Sequence, residues 1–86
     1  MNAPYEIRSV EHLGGHRLRL AFADGLVAEV DLASRLSGDL GPMFEPLRDE
    51  AFFAQVTVDA ELGTVVWPNG ADLAPDALHD QALAAA

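Results

Sequence analysis

The chain opens on spaced apolar positions, Tyr5, Ile7, Val10 and Leu13, and then alternates through Arg17-Leu18-Arg19-Leu20-Ala21-Phe22. A period of two marks a strand with one face buried and the other in water. Gly14-Gly15 separates these two runs, and Asp24-Gly25 separates the second from a third, Leu26 to Val30. Both dipeptides are hairpin signals, because glycine takes positive φ without steric cost. Residues 5–30 therefore predict a three-stranded antiparallel meander.

Beyond it the pattern loses its period. Asp31 is placed to cap a short helical turn over Leu32 to Leu36. Ser37 to Pro46 holds two glycines and two prolines and predicts an irregular loop, pinned to the core by Met43 and Phe44. Asp49 caps a second short helix, Glu50 to Ala54, which buries Phe52 or Phe53. Gln55 to Asp59 and Thr64 to Trp67 are β-rich and read as a second β-hairpin, which Pro68-Asn69-Gly70 stops. Pro75 suits the first position of a C-terminal helix, and Asp76 suits its first turn, where the helix dipole favours an anion. That helix runs into an alanine tail, which is expected to fray. The fold class is α+β, in one domain over residues 1–86.

Composition narrows the function classes. Fourteen acidic residues stand against five arginines and no lysine, a formal charge of −9. That balance repels phosphate backbones and anionic lipid, and suits solubility or a basic protein partner. Cysteine is absent, which removes disulfides and thiolate chemistry. Met1-Asn2-Ala3-Pro4 lacks the basic and apolar regions of a signal peptide, and no apolar run approaches the roughly 20 residues of a membrane span. The expected home is the cytoplasm. A thin core, burying only about 60–65% of the unfolded surface, is the rule at this length.

The order of the motifs carries a resemblance. Phe22-Ala23-Asp24-Gly25 precedes a strand ending Val30-Asp31-Leu32. Pro46-Leu47-Arg48-Asp49, Val56-Thr57-Val58-Asp59, Val66-Trp67-Pro68-Asn69-Gly70-Ala71-Asp72-Leu73 and Pro75-Asp76-Ala77-Leu78 follow. This set resembles the Domain of Unknown Function 2442 family over about residues 5–79, most specifically in the run Trp67 to Asp72. The resemblance implies a small bacterial α+β domain with no established catalytic residues. It also implies a gene neighbourhood like that of a toxin–antitoxin pair. Some members carry the domain ahead of a helix-turn-helix, which is not found in these 86 residues.

Candidate chemistry is sparse. Leu13-Gly14-Gly15-His16-Arg17 joins two strands, so it reads as a hairpin and not as a phosphate loop at a helix N-terminus. His12 and His16 flank that turn and His79 lies on the last helix, whereas a zinc site needs three or four ligands. No metal and no cofactor is expected. Asp24, Asp31, Asp49 and Asp76 each have a turn or helix-end role, which leaves Asp59, Glu61 and Asp72 near the second hairpin. Ser9, Ser34 and Ser37 sit in no nucleophile motif.

Trp67 is either a core anchor or a partner hot spot. Trp67, Asn69, Gly70 and Asp72 form the candidate binding loop. Turn chemistry explains each of these residue types, with Asp72 accepting backbone N–H groups ahead of the last helix. A small polar recognition site would use the same residues. The expectation is a protein-interaction module, the antitoxin-like member of a pair, without enzymatic activity. The alternative is a small-molecule binder or small enzyme with its site at that loop. The expected partner is a small basic protein or a second copy, the latter because Tyr5 to Val10 and Gln55 to Asp59 are edge candidates without lysine.

Overall fold

The computed structural model describes residues 3–85. Met1 and Asn2 of the leader reading and the last tail residue, Ala86, lie outside them. Strands β1 (Ile7–His12), β2 (Arg17–Phe22) and β3 (Val27–Asp31) form an antiparallel sheet in that order, as the alternation predicts. Leu18, Leu20 and Phe22 of β2 and Ala28 and Val30 of β3 point inward and are buried. On the outer face Glu11, Arg19 and Glu29 are in register across the three strands. Arg19 bridges the two carboxylates at 2.8 and 3.4 Å. The register shifts between Ile7 and Ser9 in β1. A bulge there inserts one residue, so Ile7 and Val10, three apart, can both reach the core.

The segment after β3 is more regular than its glycines and prolines suggest. A 3-10 turn at Ala33–Leu36 is followed by a one-turn helix, α1 (Gly41–Phe44), and a second 3-10 turn at Glu45–Arg48. Pro42 and Pro46 sit in the first positions of α1 and of the second turn, where a missing N–H costs nothing. Phe44 packs on the core, but Met43 is exposed and does not pin the segment. Arg48 does so instead, donating to the carbonyls of Leu36 and Gly38. Asp31 accepts from the Ala33 N–H at 2.9 Å, one residue ahead of the turn's formal cap, Leu32. Asp49 caps α2 (Glu50–Phe53) through the Ala51 N–H and places Phe53 in the core.

Strands β4 (Thr57–Asp59) and β5 (Thr64–Val66) form the second hairpin, and α3 runs Pro75–Ala85. The alanine tail is thus helical up to Ala85. Leu78 and Ala82, one turn apart on α3, join one apolar cluster with Ile7, Leu47, Phe53, Val65 and Trp67. Full burial of each large aliphatic side chain contributes about 1.5–3 kcal/mol. Among the described residues no helix is long and apolar enough to cross a membrane.

Other segments of the protein pack beside the two sheets. β1 packs against β4 and β5, and the Ile7 N–H donates to Gly63 O at 2.8 Å. β5 is bordered by residues 71–73, through a bridge between Val66 and Asp72 and a bond from Thr64 Oγ1 to Leu73 O. β3 packs on α3, whose Gln81 amide donates to Asp31 O at 2.9 Å. The two runs expected as open edges, in β1 and β4, pack against each other.

Candidate functional site

The loop singled out by sequence is a tight turn held at every corner. The Gly70 N–H donates to Trp67 O and the Trp67 N–H to Ala71 O, both at 2.9 Å. Gly70 has φ +88° and Asn69 stays at negative φ, so a single glycine supplies the left-handed residue that lets the strand fold back. Pro68 therefore ends β5 without ending the pairing, which continues into the Val66–Asp72 bridge.

Both ends of the Asn69 amide are committed: Nδ2 donates to Met43 O at 2.8 Å and Oδ1 accepts from the Ala71 N–H at 3.1 Å. Trp67 is buried, donates through Nε1 to Phe53 O at 2.9 Å, and packs on the Phe53 ring at 5.5 Å. Asp72 departs from expectation. Its carboxylate is exposed and accepts no hydrogen bond among the described residues, because its backbone is used in the bridge. Trp67 and Asn69 thus face their own protein, and Asp72 faces water.

The histidines are not gathered. His12 and His16 both lie edge-on to Phe53, at 5.9 and 4.8 Å. Their Nε2 atoms lie 2.9 Å from Gly15 O and 3.0 Å from Leu47 O. A carbonyl can only accept, so the hydrogen sits on Nε2 in each ring. His79 lies elsewhere, with Nε2 2.7 Å from Asp24 Oδ2 and its ring edge-on to Phe22. The Leu26 N–H, then the His79 imidazole, hold the Asp24 carboxyl below its ordinary value. Among the described residues no group of three or more side chains could hold a metal ion.

Most aspartates serve the backbone. Asp24, Asp31, Asp39, Asp49, Asp59 and Asp76 each accept an N–H from one to three residues ahead. Glu50 accepts the Gly15 N–H and ties the first hairpin to α2. The arginines are engaged too. Arg8 lies near Glu6, Arg19 between Glu11 and Glu29, and Arg48 beside Glu45. Arg35 donates to Gln81 and Arg17 to Leu13 O. The carboxylates of Glu61, Asp72 and Asp80 make no hydrogen bond or ion pair among the described residues.

One feature was not legible in sequence. An open depression of about 230 Å³ lies where the chain enters β1, the β4–β5 turn and the start of α3 meet. Ala3, Tyr5, Glu6, Leu62 and Pro75 line it, and Glu61 stands at its side. Tyr5 and Leu62 keep 40% and 56% of their surface in solvent, so two large apolar side chains are left uncovered in one concavity. The β4–β5 turn that carries Leu62 is rigidly bonded: Asp59 Oδ1 accepts from the Glu61 and Leu62 N–H groups, and the Gly63 N–H donates to Asp59 O. Gly63 has φ +66°, and a Cβ on it would lie 2.8 Å from Glu6 Cγ. The Glu6 stem therefore lies directly on the Gly63 backbone.

The family model described as "Protein of unknown function (DUF2442)" matches residues 7–84. No curated protein and no solved structure was found to match the chain.

Proposed function

Since the chain belongs to the family of proteins of unknown function DUF2442, we propose that it is a protein-interaction module for a small basic partner, the antitoxin-like member of a cytoplasmic pair. The observation that carries this reading is the charge arrangement. The net charge is −9, all five arginines are engaged within the fold, and the carboxylates of Glu61, Asp72 and Asp80 have no partner among the described residues. Such a surface attracts a basic protein over a distance and speeds its encounter.

The test is co-expression with the polypeptide encoded by the adjoining reading frame, followed by size-exclusion chromatography with light scattering. A stable complex of defined stoichiometry is expected, together with no gel shift of duplex DNA by the protein alone at physiological salt. Separate elution of the two chains, or a DNA shift at micromolar concentration, overturns the reading.

A further inference from the structure

We propose that the Tyr5–Leu62 depression receives an arginine side chain of the basic partner, flanked by apolar residues of the same partner segment; this rests on the reading of the protein as an acidic docking module. Several observations converge on it. Tyr5 and Leu62 are two of the five large hydrophobic residues left exposed among the described residues. They meet in one concavity, lined also by Ala3 and Pro75. Tyrosine is enriched among the residues that carry most of the binding energy at protein interfaces.

Charge selects the occupant. Glu6 lines the recess, and Glu61 stands beside it with a carboxylate that has no partner among the described residues. A guanidinium stacks on a tyrosine face, forks onto carboxylates, and lays its methylene stem along apolar walls. Arginine therefore matches an aromatic ring, an aliphatic wall and the Glu61 carboxylate at one place, while Glu6 is already engaged by Arg8, whose Nε lies 3.7 Å from Glu6 Oε1.

Size favours a side chain over a small molecule. At about 230 Å³ the recess falls below the roughly 300–1,000 Å³ of small-molecule sites and has room for a single side chain. Its walls are also set before binding. The Glu6 stem rests on Gly63, the Glu6 N–H donates to Ala3 O at 3.0 Å, and Asp59 clamps the turn that presents Glu61 and Leu62. A preformed recess avoids part of the ordering cost of association.

The experiment is chemical-shift mapping on isotopically labelled full-length protein with the peptide acetyl-Leu-Arg-Leu-amide, and with its citrulline counterpart as the neutral control. Saturable shifts at Tyr5, Glu61, Leu62 and Gly63 are expected from the arginine peptide and none from the citrulline one. The double variant Glu61→Gln/Leu62→Ser is expected to bind about tenfold more weakly or worse, whereas Asp80→Asn, with the same change in charge on α3, stays within about twofold. Glu61→Gln alone serves if the double variant loses its spectral dispersion. Shifts spread over the surface without saturation, equal binding of citrulline, or equal losses in both variants overturn the site. A co-expressed complex that survives such a result leaves the docking reading standing. Saturable peptide binding without any complex does the reverse.

Discussion

At the scale of single residues six of the eight aspartates explain themselves by hydrogen bonds to nearby N–H groups, and Asp24 also joins two elements. It accepts from Leu26 N at 3.0 Å and holds His79 of α3 at 2.7 Å, so one carboxylate joins the β2–β3 turn to the last helix. Those contacts lower its pKa from 3.8 in the folded state. A depressed carboxyl contributes stability that is present above its unfolded value and is lost as pH falls through the folded one. Asp24→Asn should therefore melt below wild type at neutral pH, with the gap closing as pH falls past 3.8 in thermal scans. A gap independent of pH would show that the charge is not what matters. Asn69 makes the opposite kind of contact, neutral and bidentate, to Met43 O and the Ala71 N–H. Asn69→Ala should lose about 1–2 kcal/mol in denaturant unfolding. Unchanged stability would free the loop for a role in recognition.

At the scale of elements, the first hairpins were legible because their signals are local. Gly14-Gly15 and Asp24-Gly25 lie between alternating runs, and the strands fall there, with β3 starting one residue later than expected at Val27. Asp49, Pro75 and Asp76 also marked their helices correctly, being short-range cues. Residues 41–48 were less legible, because glycine and proline signal loops while proline equally starts helical turns. Residues 71–73 were missed as a border to β5, since Pro68 argues against a ladder and the type of turn that permits one depends on Gly70. The depression had no sequence signal at all. Residues 5, 6, 61, 62 and 75 meet only through tertiary packing of the second hairpin on β1. That junction can be probed at Gly63, whose left-handed φ and contact with Glu6 leave no room for a side chain. Gly63→Ala should cost about 1–3 kcal/mol in chemical denaturation and shift the Tyr5 and Leu62 resonances. A variant as stable as wild type would mean that Glu6 and the turn yield freely.

At the scale of the whole molecule, carboxylates outnumber arginines fourteen to five, and every arginine is engaged within the fold. Much of the acidity serves the fold, since six aspartates accept backbone N–H groups, yet each remains a negative charge at the surface. Under the proposed docking function the same residues would serve both fold and field, because the turns that build the protein carry the charge. The most direct measurement of that claim is titration calorimetry of the protein against the polypeptide encoded beside it, at low and high salt. The dissociation constant should rise by about tenfold or more between about 50 and 500 mM NaCl, as screening removes the attraction. A complex whose affinity does not change across that range would contradict electrostatic docking.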